Sequence, residues 1–280
     1  MIQVVHQPLE VKVGPLQLTG FGLAVLLAFL IAQIISQQEL ERRGHTREAA
    51  AIPDLILASV LGTLVGGKVY YVTVISHNWH DLFSRAGFVF WGGFIGAVVM
   101  NWIFIRVKKL LFARFADVAG IAIAAGYAVG RTGCWAVGDD YGRPWSGPLA
   151  VQFPRGAPPS TATIMNQQFG TPIPPGVSPD TVLAVHPTQL YETAMGFVMF
   201  LILWRLRDHK HREGWLFGVY CVLAGIERFV VEFFRAKDDR VIGPLTLAQA
   251  IAIGIALAGV AIMRWRSAPA EGGRVAPAAA

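Results

Sequence analysis

Arg131 stands in a stretch that otherwise suits a lipid bilayer. Phe115 to Gly130 before it is almost all Ala, Ile, Gly and Val, and Gly133 to Gly138 after it stays largely apolar. A charge in such a place costs about 2.5–3.5 kcal/mol on insertion scales. The guanidinium is therefore expected to face inward, onto a partner or an anionic ligand, and its planar fork of donors suits phosphate. The segment GRTGCWAVGDDYGRP at 130–144 adds Cys134, Asp139, Asp140, Arg143 and several glycines, among them Gly133 and Gly142. Further along, ERFVVEFFRAKDD at 227–239 sets Arg228 and Glu232 four residues apart, on one helix face, with Arg235 three further on. HPTQLYE at 186–192 supplies His186, Gln189, Tyr191 and Glu192, and FWGG at 90–93 supplies Gly92 and Gly93. If these segments converge, several cations and carboxylates meet at one membrane boundary. That arrangement fits a substrate with a phosphate headgroup and an apolar tail.

Each of these residues also has a purely structural reading. Arg131 can snorkel to the interface. The glycines can serve close helix packing, and Glu227, Arg228 and Glu232 can form an ion pair that holds helices together. His186 can cap a helix start, and Tyr191 with Glu192 can clamp two helices. Cys134 reads as a small packing residue, and Trp91 as an interfacial anchor.

The elements that must carry these residues follow from composition. The chain has 280 residues, 54% hydrophobic and 15% charged, against about 25% charged for a soluble domain. Its net charge of +6 is compatible with nucleic acid, anionic lipid or basic membrane loops, and the long apolar runs select the last. The expected fold class is all-α: a polytopic membrane protein with about seven transmembrane helices at 16–36, 53–75, 87–105, 115–137, 188–205, 214–233 and 244–264. The N-terminus lacks the pattern of a cleaved signal peptide. The two cysteines, Cys134 and Cys221, both lie in apolar runs and suggest neither a disulfide framework nor a metal site.

Fourteen of the 24 Lys and Arg residues fall in the connections on one side, including Arg42, Arg43, Arg47, Lys108 and Arg207. The positive-inside rule makes that side cytoplasmic, with the N-terminus external and the C-terminus internal. One integral membrane domain is expected over 1–266. Within it, 139–187 is an external Pro/Gly-rich insert, a small arm or lid expected to be partly ordered at best. The tail 267–280 is expected to be disordered. No internal repeat is visible, which counts against an alternating-access transporter.

Taken in order, the Gly130-Arg131-x-Gly133 segment with its later Gly142, the HPTQLYE segment and the Arg228/Glu232/Arg235 segment resemble those of bacterial prolipoprotein diacylglyceryl transferases. The resemblance spans roughly 15–255, and Asp117 matches an Asp that the family often has at the start of the arginine-bearing helix. It implies an inner-membrane enzyme that moves the diacylglyceryl group of phosphatidylglycerol onto the lipobox cysteine thiol of a preprolipoprotein signal peptide, releasing glycerol phosphate. The partners it implies are phosphatidylglycerol, the preprolipoprotein and the bilayer, with no nucleic acid. No cofactor or metal is expected, since the sequence holds neither a ligand cluster nor a nucleotide loop.

The nucleophile belongs to the substrate and must react as thiolate. Arg131 is then expected to bind the lipid phosphate, and Arg228 to stabilise the leaving group. Glu232 would orient Arg228 or relay a proton. Asp139 is a further catalytic candidate, and Gly133, Gly142, Gly92, Gly93, His186, Gln189, Tyr191, Glu192 and Arg235 are candidate substrate-binding residues. The chain departs from the pattern at Phe21-Gly22, where many members have Tyr-Gly, and at Trp91, where some have a histidine proposed as base. Cys134 and Asp139 stand where some members have Asn and Glu. The remaining base candidates are Asp139, Asp140, Glu232 and His186, or an assisted thiolate without a dedicated base. Two other readings remain open: a paralogue with another acceptor, and a non-catalytic lipid-binding or transport protein.

Overall fold

The computed structural model describes residues 4–13, 16–84, 87, 89–173, 175–236 and 240–267. The chain tail expected to be disordered, beyond Ser267, and the basic residues Arg85 and Lys237 lie outside the described residues. The described residues are mostly helical. The helices are α1 (Gly20–Arg42), α2 (Thr46–Ala50), α3 (Ile52–Tyr70), α4 (Phe90–Val107), α5 (Phe112–Val137), α6 (Ala162–Gln167), α7 (Thr188–Leu206), α8 (Trp215–Glu232) and α9 (Leu247–Arg266). The last turns of α3 continue as a π-helix over Tyr71–Ser76. Four helical segments, Gly20–Arg42, Ile52–Ser76, Phe112–Val137 and Leu247–Arg266, are long and apolar enough to cross a membrane, and Trp91–Val107 is a shorter apolar one. This is a polytopic membrane protein.

Short strands accompany the helices: β1 (Val4–Val5), β2 (Glu10–Val13), β3 (Leu16–Thr19), β4 (Val151–Gln152), β5 (Ala184–Val185), β6 (Arg240–Ile242) and β7 (Leu245–Thr246). Two expected edges change as a result. The first apolar run begins as β3, paired antiparallel with β2, and turns helical only at Gly20. The last begins as the β6–β7 hairpin, and α9 starts at a capping box in which Thr246 and Gln249 satisfy each other's backbone N–H groups.

Two compact units are resolved: Met1–Ala32 with Ala119–Ala280, and Gln33–Val118. In the second unit, α3 and α4 pack through glycines. A Cβ built on Gly96 would lie 2.1 Å from the Gly62 carbonyl oxygen, and one on Gly92 2.4 Å from that of Gly66. Leu40, Ile52, Leu55, Ile105, Phe115 and Val118 form its buried core. Beside that core, Glu39 pairs with Arg42 and Arg43, and Glu48 with Arg114 at 2.6 Å.

In the first unit, α8 packs on α9 through Gly218, Gly225 and Gly259, and α7 meets α5 where Gly196 lies against Tyr127 and Ala128. The 139–187 insert is more ordered than its composition suggests. Phe153, Met165 and Val185 are fully buried there and join Tyr141, Val151 and Ala236 in a second core. Its order comes from pairing between distant segments. Strand β4 lies between β1, in parallel, and β5, antiparallel, so residues near the N-terminus complete a three-stranded sheet. No local period announces such a sheet.

Candidate functional site

Arg131 lies near the C-terminal end of α5, and its side chain is 12% exposed. Its Nη1 donates to Asp140 Oδ2 at 2.9 Å and to Cys134 Sγ at 3.4 Å. Its Nη2 donates to Glu192 Oε2, on the first turns of α7. Arg235 follows the end of α8 and approaches from the other side. Its Nη2 donates to Asp140 Oδ1 at 3.1 Å, and its Nη1 lies 3.9 Å from Glu192 Oε1. Arg228 pairs with Glu232 across one turn of α8 at 2.6 Å, and Arg235 Nε is 3.9 Å from the same carboxylate. The network thus joins Arg131, Arg228 and Arg235 to Asp140, Glu192 and Glu232. Buried charges are tolerable only in such pairing.

Two donors in the network are left over. Arg131 Nε and Arg228 Nη1 are buried and make no hydrogen bond. Each such orphan costs about 1–3 kcal/mol in desolvation.

The loop that carries Asp139 and Asp140 is held in place by α7. Thr188 Oγ1 donates to the Asp140 carbonyl at 2.6 Å, and Gln189 Nε2 donates to the Asp139 carbonyl. Asp140 itself takes a left-handed φ of 54°, a conformation that Asp tolerates better than most residues. Burial and the charge of Asp140 push the Asp139 carboxyl up to about 6. Burial also opposes the charge of Asp140, but Arg235 and Arg131 outweigh it and hold that carboxyl below its ordinary range. One oxygen of Asp139, Oδ1, is buried without a hydrogen-bond partner.

Gly142 sits where three backbones meet. Its N–H donates to the His186 carbonyl at 2.8 Å, and the Arg143 N–H donates to that of Phe234 at 2.8 Å. Arg143 Nε donates to the Arg235 carbonyl at 2.8 Å. A Cβ on Gly142 would stand 2.3 Å from the Phe234 oxygen, so only glycine lets the loop approach the end of α8.

His186 belongs to an apolar wall. Its ring stacks on Trp145 at 4.3 Å, and its Nδ1 lies 3.1 Å from the Tyr191 hydroxyl. Burial, followed by the charge of Arg143, lowers its pKa. His186, Trp145, Tyr191, Met195, Val230 and Phe234 line a cavity of about 380 Å³.

Among the sequence candidates, Arg131, Arg228, Arg235, Glu192, Glu232, Asp139, Gln189, His186, Tyr191 and Gly142 all fall in this one unit. Gly133 does so too, but the direction of its missing Cβ leads into Ala24 and Phe21 of α1, a helix contact. Gly92 and Gly93 belong to the other unit, where they lie against Tyr70, Gly66 and Thr63 of α3.

Sequence reasoning underrated Asp140, named only as a possible base and not as the bridge between two arginines. It missed Tyr127, whose hydroxyl donates to Glu227 Oε1 at 2.9 Å. The four-residue spacing of Tyr127 and Arg131 on α5 was the available signal. Trp145 and Phe234 were also missed, since nothing local marks a cavity wall. Cys134, Asp139 and Asp140 bring ligand-type atoms within 4.8 Å of one another. The two guanidiniums already on Asp140 disfavour a cation there.

Three arginines paired with three carboxylates lie in one unit with a largely apolar cavity, in a polytopic membrane protein. The chain belongs to the prolipoprotein diacylglyceryl transferase family, whose model matches residues 8–265, and it is a membrane transferase of that activity. It is similar to the phosphatidylglycerol–prolipoprotein diacylglyceryl transferase of Paraburkholderia phymatum, at 30% identity over 92% of each chain. It is 28% identical to the enzymes of the same name from Chromohalobacter salexigens and Geobacter sulfurreducens, the match covering 96% of each chain for the former. For the latter the match covers 90% of this chain and 92% of the relative.

Proposed function

We propose that the protein transfers the diacylglyceryl group of phosphatidylglycerol to the lipobox cysteine thiol of a preprolipoprotein, with the arginine cluster as its catalytic centre. Arg131 and Arg235 hold the lipid phosphate as a two-sided clamp. Arg228, kept in line by Glu232, receives the charge that develops on the departing glycerol phosphate. The thiol gives its proton to Asp139. The thiolate then attacks the glyceryl carbon that bears the phosphate ester oxygen, so the C–S bond forms as the C–O bond breaks. The observation that carries this reading is the convergence of Arg131 and Arg235 on one carboxylate, beside buried guanidinium N–H groups on Arg131 and Arg228 that lack acceptors. A phosphate would supply them.

The neighbouring cavity lined by Trp145, His186, Tyr191 and Phe234 provides the apolar surround that a lipid substrate needs. The seven long helices are assigned as spans in a bacterial cytoplasmic membrane, with the site at its external face and the C-terminus inside. Charge distribution supports that orientation.

The test is direct. Purified protein is mixed with labelled phosphatidylglycerol and a lipobox peptide, and the thioether product is measured. Product that disappears in Arg131→Ala supports the transfer, whereas tight lipid binding without product sinks it. Complementation of a strain that lacks the enzyme asks in addition whether Trp91 in place of histidine is compatible with activity.

A further inference from the structure

Asp140 differs from the other two carboxylates of the network. Glu192 and Glu232 sit on helices, and their side chains are 3% and 2% exposed; that of Asp140 sits on a loop and is 43% exposed. Its backbone is anchored by Thr188, but its carboxylate contacts are the two guanidiniums, one oxygen to Arg131 and the other to Arg235. Side-chain rotation alone therefore releases it to water. A phosphodiester presents two terminal oxygens in much the same way as a carboxylate, and arginine forks accept either.

Charge balance completes the argument. The ion-pair network already matches three guanidiniums with three carboxylates. An added phosphate brings further negative charge to guanidiniums whose carboxylates already match them, in surroundings where an unpaired charge is costly. One carboxylate must give way, and Asp140 is the one with a route to solvent.

We propose that the Asp140 carboxylate is a displaceable counter-ion, which occupies the phosphate position of the empty site and competes with the lipid for Arg131 and Arg235. This rests on the reading that those arginines bind the lipid phosphate. With Asp140 in place, the two guanidiniums stay paired and aligned while no substrate is bound. When the reaction ends, Asp140 returns between them and helps to expel glycerol phosphate, an anion that arginines would otherwise hold tightly. Asp140 is thus a positioning residue that sets affinity in both directions.

The experiment uses the full-length protein in detergent micelles, with dihexanoyl-phosphatidylglycerol and free glycerol phosphate as calorimetric probes. Removing the competitor in Asp140→Asn is expected to tighten both Kd values about tenfold, the scale of one lost competing charge-assisted pair. The KM for phosphatidylglycerol should fall, and product inhibition should deepen. Asp140→Glu, which restores the carboxylate, should return both toward wild type. A purely structural role would weaken binding in Asp140→Asn, so unchanged or weaker binding there overturns the proposal. Lysine variants of Arg131 and Arg235 separate the two levels. If their Kd values for both probes equal the wild type's, the phosphate clamp itself is wrong. If they bind weakly while Asp140→Asn does not bind more tightly, only the counter-ion idea falls.

Discussion

At the scale of single residues, shape matters as much as charge. Arg131 reaches Asp140 and Glu192 with different nitrogens of one planar group. Arg131→Lys keeps the charge but has no fork with which to span two partners. The rate of thioether formation at saturating lipid should fall by about 10²-fold or more, in the range seen when a preorganised donor is lost. Asp139 yields a pH prediction. Its carboxyl, pushed up to about 6 by burial and then by Asp140, must be ionised to accept a thiol proton. The rate should therefore fall as pH drops through about 6, and Asp139→Asn should abolish that limb; a limb that persists in the variant would exclude Asp139 as base.

The same shift has a stability sign. The folded state holds this proton more tightly than the unfolded state, so the group weakens the fold above its folded pKa, and the deficit disappears at acid pH. Asp139→Asn should accordingly raise Tm at pH 7.5 and not at pH 4. At this scale the sequence was informative about Arg131, Arg228 and Glu232, because a charge in an apolar run and an i, i+4 pair are both visible in one dimension. The role of Asp140 was not visible: whether a loop carboxylate bridges two arginines depends on a left-handed backbone and on anchoring by Thr188, more than forty residues away.

At the scale of elements, the helices were legible and the insert was not. Long apolar runs locate helices whatever the tertiary structure does, which is why the expected and observed helices overlap along the chain. Their edges moved where backbone pairing took over from hydropathy, as at β3, where Leu16–Thr19 is apolar enough to read as helix but pairs with β2. The order of the insert resides in contacts among segments that carry no period, with Phe153 packed between Trp135 and Tyr141. Gly142 ties that insert to the end of α8. Gly142→Ala forces the Phe234 carbonyl away from a 2.3 Å overlap, and an overpacking cost of about 1–3 kcal/mol is expected. Limited proteolysis should show faster cleavage within 139–187, with reduced transfer activity. Unchanged protection would mean that the three-way backbone junction is dispensable.

At the scale of the whole molecule, function depends on which face of the membrane receives the arginine cluster. Ser146 in the insert and Glu41 near the end of α1 are both exposed, while the two native cysteines are buried. A membrane-impermeant maleimide should label Ser146→Cys in intact cells and Glu41→Cys only after lysis. The reverse pattern would invert the assigned topology. Strand β1 pairs with β4, more than half the chain later, and β4 with β5 later still. The sheet therefore cannot close while the ribosome is still making the first helices, and long-range pairing of this kind forms slowly. Strand β1 must wait, unpaired, until β4 at 151–152 has been synthesised, and the full sheet until β5 at 184–185 follows. A tag fused directly ahead of Val4 would burden that waiting edge before any catalytic residue was affected.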